Sequence, residues 1–248
     1  MCVILICPPK VRPSRRLLEL CELGNPHGAG IAWREAGMVH WFKTDTLDQI
    51  ELLARRKAGE IVIHFRIASV GGVTPALRHP FPVSPRAGLA TAGSARTVLF
   101  QNGTWLGWQE ALERAGKAGL EIPGGEWSDT RAAALLAHGT TAAERAEFFG
   151  QVASPSRWVW FAARGTEAFG AGVDRGQRPP TLFAYGGCGP ELRAGDQGVA
   201  GGDGPLAVAS GGSARLPGAD PAELGDQPDP ARLDPPAAAP GPVRRGSG

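Results

Sequence analysis

The sequence predicts an α+β domain over residues 2–185, followed by a disordered tail over residues 190–248. Short apolar runs that are typical of strands alternate with segments that carry apolar residues at helical spacing, without an internal repeat. Residues 186–248 contain no aromatic residue, Ile, Met or Lys and are rich in Gly, Pro, Ala and Asp. Such a segment cannot bury enough apolar surface to offset the entropy lost on ordering, which predicts the tail.

The elements of the domain are predicted from the apolar pattern of each segment. Residues 3–7 are a continuous apolar run that two prolines end, as expected for a strand buried on both faces. Further strands are predicted at 30–33, 38–42, 61–65, 97–100, 158–162 and 181–185. Helices are predicted at 14–23, 45–58, 107–118, 128–138 and 141–150. This order favours sheets covered by helices.

Composition argues against several classes of function. The formal net charge is +2 and no basic run is long, so neither nucleic acid nor an anionic membrane is an expected partner. No segment approaches the roughly 18 consecutive apolar residues of a membrane span, and the opening lacks the pattern of a secretory signal. The four cysteines show no CxxC spacing, which disfavours zinc and a redox dithiol. We therefore expect a cytoplasmic protein with reduced thiols.

Cys2 is the first candidate for chemistry. A small second residue permits removal of Met1, so the mature chain is expected to begin with Cys2. A terminal cysteine carries a thiol and an α-amine whose pKa lies slightly below that of the thiol. The amine can therefore act as the base for its own sulfur, directly or through a water molecule. The alternative is that cysteine occupies the second position by chance.

Four motifs carry a resemblance to a known family. Residues 64–81 (HFRIASVGGVTPALRHPF) contain an Arg after a strand, then a small hydroxyl residue, a Gly and a His-Pro pair. Residues 99–105 (LFQNGTW) place Asn-Gly at a strand end, and residues 125–136 (GEWSDTRAAALL) place Ser-Asp-Thr at a helix start. Residues 25–33 (NPHGAGIAW) form a glycine-rich strand entrance. Together with Cys2, the motifs stand in the order found in class II glutamine amidotransferases, which the chain resembles over about residues 2–135.

The resemblance implies the fold and the catalytic residues. The fold would be the four-layer αββα sandwich of the N-terminal-nucleophile hydrolases, with Cys2 as the nucleophile. The side-chain amide of Asn102 and the backbone N–H of Gly103 would stabilise the oxyanion. The alternative for Asn102-Gly103 is a hairpin turn, for which this dipeptide is a strong signal. No metal or organic cofactor is required.

The resemblance also implies how glutamine is held. Arg66 would bind the α-carboxylate bidentately, Asp129 would take the α-ammonium, and Ser69 would contribute to substrate binding. The alternative for Arg66 is a structural ion pair. For Asp129 it is a helix start, with Ser128 as N-cap and the carboxylate in the first turn, and the two roles are compatible.

The implied activity is glutamine hydrolysis to glutamate and ammonia through a γ-glutamyl thioester. Nothing after Tyr185 resembles a synthase, so either a separate ammonia-accepting subunit exists or the protein hydrolyses glutamine or another γ-glutamyl amide for its own sake. A catalytically silent binding or regulatory module with the same fold is the alternative from another class, and an unrelated protein with a chance match is a third. The chain departs from the family pattern at Val3, Val70, Gln101 and Arg131. The last three touch substrate-contact regions, which leaves the γ-glutamyl substrate open.

Overall fold

The computed structural model describes residues 2–152, 156–170, 183–185 and 207–209. All of them belong to one unit, Met1–Gly211. The tail predicted over residues 190–248 lies outside the described residues except at 207–209, and Cys188 lies outside them as well. The domain boundary at residue 185 and the disorder of the tail therefore stay predictions.

The described residues contain both helices and strands, arranged as an α+β fold. The strands are β1 (Val3–Cys7), β2 (Ala29–Glu35), β3 (Met38–Thr44), β4 (Ile61–Phe65), β5 (Phe81–Pro82), β6 (Ala92–Ala95), β7 (Thr97–Asn102), β8 (Arg157–Ala162), β9 (Gly165–Gly170), β10 (Phe183–Tyr185) and β11 (Ala207–Ala209). The α-helices are α1 (Arg15–Gly24), α2 (Leu47–Arg56), α3 (Trp108–Lys117), α4 (Asp129–Leu136) and α5 (Ala142–Val152). A single turn of 3₁₀ helix spans Pro75–Leu77.

The strands form two sheets. The first has the order β11-β10-β1-β4-β2-β3-β6 and the second the order β5-β7-β8-β9. Neighbouring strands run antiparallel except β10 and β11, which are parallel. In the first sheet Val3 is paired with Phe65, so Cys2, one residue earlier, lies at the end of β1 beside Arg66 at the end of β4.

Three clusters of buried side chains define the layers. One face of β1 carries Ile4, which packs together with Phe100 of β7 and Val159 of β8 between the two sheets. The opposite face of the first sheet packs against α1 and α2, and the opposite face of the second sheet packs against α3, α4 and α5. Because side chains alternate along a strand, Cys2 lies on the same face as Ile4, between the sheets.

Serine N-caps determine where α1 and α4 begin. Ser14 is the N-cap of α1 and its hydroxyl accepts a hydrogen bond from the Leu17 N–H at 3.2 Å. Ser128 does the same for α4, accepting from the Arg131 N–H at 3.2 Å. The second cap fixes Asp129 as the first residue of α4.

The sequence-based prediction of an α+β class is confirmed, with differences at the level of elements. The predicted strand at 97–100 extends to Asn102, and α2 is shorter at both ends than the predicted 45–58. The edge strands β5, β6 and β9 were not predicted. Their residues form strands because they pair with β7, β3 and β8 respectively, and not because of an apolar pattern. The edge strand β11 was not predicted either; it lies in the segment predicted as a tail and pairs with β10. Among the described residues, no helix has both the length and the apolarity to cross a membrane.

Candidate active site

Cys2 is held by the backbone of the segment that follows β4. Its Sγ accepts from the Ile67 N–H at 3.4 Å and donates to the Ile67 carbonyl at 3.3 Å. Burial raises the pKa of the Cys2 thiol; the Ile67 N–H and the charge of Arg66 lower it, and the charge of Asp129 raises it. The thiol is therefore held in its neutral form and needs a base to become a nucleophile.

Arg66 holds the loop that follows β4, whose Ile67 contacts Cys2. Its guanidinium donates to the Gly72 carbonyl at 2.8 Å and to the Val70 carbonyl at 3.1 Å, and the residue is 3% exposed. Burial lowers the pKa of Arg66, while the charges of Cys2 and Asp129 raise it. Two of the five guanidinium N–H groups hold the loop, and a bidentate carboxylate needs only two more.

The same loop packs against the start of α4. Gly71 has a φ of +75°, and a Cβ there would lie 2.8 Å from the Trp127 carbonyl oxygen. Ser69 is exposed, and its hydroxyl is 2.9 Å from that of Thr104, two residues beyond Asn102. The loop therefore meets the segments that carry the other predicted residues.

Asn102 is the last residue of β7 and lies on the face of Phe100, which points toward the first sheet. Gly103 follows with a φ of +135°, and a Cβ there would lie 2.6 Å from both Cα and Oγ of Ser156. The next element along the chain is α3, and the sheet neighbours of β7 are β5 and β8. Asn102-Gly103 is therefore not a hairpin turn.

Asp129 is buried at the start of α4 and accepts several hydrogen bonds. Its Oδ2 accepts from the Trp105 N–H at 2.8 Å and from Gln101 Nε2 at 2.9 Å, and its Oδ1 accepts from the Thr130 N–H at 2.9 Å. Burial raises the pKa of Asp129, and these three donors lower it. The helix-start role of Ser128 and a site for the Asp129 carboxylate thus occur together.

The structure brings together the ends of β1, β4 and β7 and the start of α4, and with them the six residues that the sequence selected. These are Cys2, Arg66, Ser69, Asn102, Gly103 and Asp129. Cys2 contacts Ile67 next to Arg66, the hydroxyls of Ser69 and Thr104 join the loop after β4 to the segment after β7, and the Trp105 N–H joins that segment to Asp129.

Sequence reasoning missed the contribution of Ile67, which acts through its backbone and so leaves no signal in the residue type. It also passed over the polar side chains beneath the site. Gln101 was noted only as a departure from the family pattern, although its side chain contacts the Asp129 carboxylate. The signal in the sequence was Gln101 itself, a large polar residue at a position of β7 that is expected to be buried.

Arg131, a second departure, has a structural use. It is 2% exposed and donates to the carbonyls of Ala87 at 3.0 Å, Glu126 at 2.6 Å and Gly124 at 2.8 Å. Its guanidinium lies 4.0 Å from the centre of the Trp127 ring. Arg131 therefore pins the segment that leads into α4.

Within the part of the chain that the structure describes, no group of three or more His, Cys, Asp or Glu side chains has the arrangement of a metal site. The described cysteines Cys2, Cys7 and Cys21 are buried thiols. A groove of about 610 Å³ lies away from these residues, between α2 and the β3–β6 edge, and its lining is mostly apolar.

No protein-family model matches the chain, and no curated protein matches it. A solved structure described as the allosteric regulatory enzyme of purine biosynthesis is similar with a TM-score of 0.44 and 16% sequence identity. The similarity covers 66% of this chain and 36% of that chain, so this chain matches little more than a third of that protein.

Proposed function

We propose that the protein is an N-terminal-nucleophile amidohydrolase of the class II glutamine amidotransferase type, with the αββα sandwich of that superfamily. It hydrolyses glutamine through a γ-glutamyl thioester on Cys2. The observation that carries this proposal is geometric: Cys2 contacts the backbone of Ile67 next to Arg66, and Asp129 accepts from Gln101 and Trp105 on either side of Asn102-Gly103. Arg66 and Asp129 are a cation and an anion that suit the two charged groups of an amino acid. Removal of Met1 is part of the proposal, because it supplies the base.

The first half-reaction uses the amine and the thiol of Cys2. The free α-amine takes the Sγ proton, which the buried thiol otherwise retains, and the sulfur attacks the side-chain amide carbon of glutamine. The oxyanion is stabilised by the Asn102 side-chain N–H and the Gly103 backbone N–H. Loss of one such donor typically lowers the rate by about 10²–10³-fold. The protonated amine then gives its proton to the leaving nitrogen, ammonia departs, and the thioester remains.

The second half-reaction is hydrolysis of the thioester. A water molecule takes the position that ammonia has left, the Cys2 amine accepts its proton, and attack on the thioester carbon regenerates the oxyanion. Collapse of this intermediate breaks the C–S bond, returns a proton to the sulfur and releases glutamate. Throughout, Arg66 holds the α-carboxylate, Asp129 holds the α-ammonium, and Ser69 lines the exposed side of the substrate.

The fate of ammonia distinguishes two forms of the proposal. In the first, a separate synthase subunit accepts ammonia. In the second, the protein hydrolyses glutamine or another γ-glutamyl amide as its whole reaction. The exposed position of Ser69 leaves room on one side of the site, which is compatible with a substituent on the amide nitrogen.

A catalytically silent module with the same residues is the alternative from a different class. Arg66 supports it in part, since its contacts with Val70 and Gly72 give it a structural use without any substrate. The alternative predicts that Cys2 does not react with a glutamine analogue.

The test is labelling with 6-diazo-5-oxo-L-norleucine, an alkylating analogue of glutamine, followed by intact mass and peptide mapping. We expect a chain without Met1 that carries one adduct on Cys2, and steady release of ammonia from glutamine. Arg66→Ala should abolish labelling at low reagent concentration, and Cys2→Ala should abolish both activities. Cys21→Ala removes a buried thiol outside the site and serves as the matched control that keeps them.

Each other result has a definite meaning. A retained Met1 on active protein would overturn the amine-base mechanism. A processed Cys2 that stays unlabelled and releases no ammonia from glutamine, but cleaves other γ-glutamyl amides, would favour the second form. A processed Cys2 that reacts with none of these compounds would favour the silent module.

A further inference from the structure

Gln101 forms hydrogen bonds through both its backbone and its side chain in a network of buried polar groups next to Asp129. It is 1% exposed at the end of β7. The side-chain Nε2 donates to Asp129 Oδ2 at 2.9 Å and to Ser156 Oγ at 3.2 Å. The side-chain Oε1 accepts from the Thr130 hydroxyl at 2.6 Å, and the backbone N–H donates to His79 Nδ1 at 3.4 Å. Gln101 therefore joins the strand that ends in Asn102 to the helix that begins with Asp129.

The direction of every hydrogen bond in this network is determined. An ionised Asp129 can only accept, so the NH₂ of Gln101 faces it and Oε1 faces Thr130. The Thr130 hydroxyl then donates to Oε1 and accepts from His79 Nε2, which is 2.9 Å away. His79 Nδ1 is consequently unprotonated, as its position opposite the Gln101 N–H also requires. The chain of bonds runs from the Gln101 backbone through His79 and Thr130 back to the Gln101 side chain.

The network is compatible only with a neutral His79. Protonation would put an Nδ1–H against the Gln101 N–H and break the closed chain of bonds. His79 is buried, and the centre of its ring lies 4.0 Å from that of His64, whose Nε2 contacts the Gln101 carbonyl at 3.1 Å. Burial lowers the pKa of His79 well below its usual value, and the proximity of His64 lowers it further. With His79 locked as a donor to Thr130, the Gln101 amide cannot turn without losing a bond.

We propose that Gln101 is a positioning residue that aims the Asp129 carboxylate at the α-ammonium of the substrate. This inference rests on the proposed function, in which Asp129 holds that group. Gln101 does not touch the substrate; it acts through Asp129, whose Oδ2 it shares with the Trp105 N–H. Because Gln101 directly precedes Asn102, the same residue sets the spacing between the oxyanion donors and the ammonium site.

The proposal is tested with two substrates that differ only in the α-ammonium. Glutaramate is glutamine without its α-amino group, so only glutamine depends on Asp129. Gln101→Met keeps the volume and removes the amide; we expect kcat/KM for glutamine to fall about 10-fold to 100-fold, mainly through KM, with a much smaller change for glutaramate. Thr130→Val removes the hydroxyl that binds the Gln101 amide, so it should also lower kcat/KM for glutamine relative to glutaramate, but by less. Thr130→Ser keeps the hydroxyl and should have the wild-type ratio.

A merely structural role would lower kcat/KM for both substrates alike, and that result, or an unchanged preference in Gln101→Met, would overturn the proposal. Ser156→Ala is the matched control, because it removes the other acceptor of Gln101 Nε2 without touching Asp129. It should leave the preference between the substrates at the wild-type value.

A second measurement does not depend on turnover. The ¹³C signal of the Asp129 carboxyl, followed against pH by NMR, should show a higher pKa in Gln101→Met than in the wild type, since one of its donors is lost. An unchanged Asp129 titration would overturn the positioning role even if the enzyme is active. If the wild type hydrolyses neither substrate, the proposed function fails while this titration still decides how Gln101 acts on Asp129. Thr130→Val extends the same titration should Gln101→Met not fold.

Discussion

Lys43 offers a sharp test of the packing around the site, because a cation is buried there. The residue lies in β3 and is 3% exposed. Its ammonium group donates to the Ala76 carbonyl at 2.9 Å and lies 4.5 Å from the centre of the Phe81 ring. Burial, together with the charges of Arg66, Arg131 and Arg78, lowers the pKa of Lys43 from 10.5 to about 7.

The sign of the effect on stability follows from proton binding. Between about pH 7 and pH 10.5 the unfolded chain holds a proton on Lys43 that the folded chain has released. The free energy of unfolding therefore rises with pH in this window, by about 1.4 kcal/mol for each pH unit, and the penalty is fully present below pH 7. Across the window the upper limit is about 5 kcal/mol, comparable with the total stability of many domains.

We therefore expect Lys43→Met to stabilise the protein at pH 6 and to remove this slope. The lost hydrogen bond to Ala76 offsets part of the gain, so the expected increase at pH 6 is about 2–4 kcal/mol. Urea unfolding at pH 6, 7, 8 and 9 measures it, and the difference from the wild type should shrink by about 1.4 kcal/mol per pH unit above pH 7. Lys117→Met, at an exposed position in α3, is the matched control and should keep the wild-type slope. A Lys43→Met curve parallel to the wild type would refute the account of Lys43.

Two further predictions test the segments on either side of the second sheet. Gly103→Ala should lower the free energy of unfolding by about 2–4 kcal/mol in urea titrations, because the new Cβ meets Ser156 and φ is positive; a stability equal to the wild type would contradict this. Arg145 binds Glu167 through Nε at 3.0 Å and Nη2 at 2.7 Å and lies over Trp160. Arg145→Lys should therefore lower the free energy of unfolding by about 1–2 kcal/mol in the same titrations. A free energy of unfolding equal to that of the wild type would mean that the Arg145 guanidinium does not stabilise the fold.

The parts of the fold that were predicted from sequence are those whose stability depends on local pattern. The strand over 61–65 was predicted with the bounds that β4 has, because all of its residues except His64 are apolar. The strand β6, Ala92–Ala95, has mostly exposed small residues and carries no such pattern. It is a strand because β3 offers it a free edge, and the existence of that edge depends on the whole sheet. A pattern within one segment cannot report a partner in another.

Some residues of the candidate site could likewise be predicted from the sequence, and others could not. Cys2, Arg66 and Asp129 have side chains whose chemistry is visible in the sequence, and the motif order was enough to group them. The contact between Cys2 and the Ile67 backbone left no trace in the residue type at position 67. Position 103 requires glycine because a Cβ there would clash with Ser156. Ser156 is remote in sequence, so this requirement is visible only in the folded structure.

The departures from the amidotransferase pattern at Gln101 and Arg131 have different consequences, although both residues are buried and polar. The donors of Arg131 go only to backbone carbonyls, those of Ala87 and of Gly124 and Glu126 before α4, so a change there should act through stability. Gln101 instead joins side chains from three segments in bonds of fixed direction, one of which reaches the Asp129 carboxylate. A change at Gln101 should therefore alter which substrate is preferred before it alters whether the protein folds. Of these two departures, Gln101 is therefore the one that we expect to affect substrate preference.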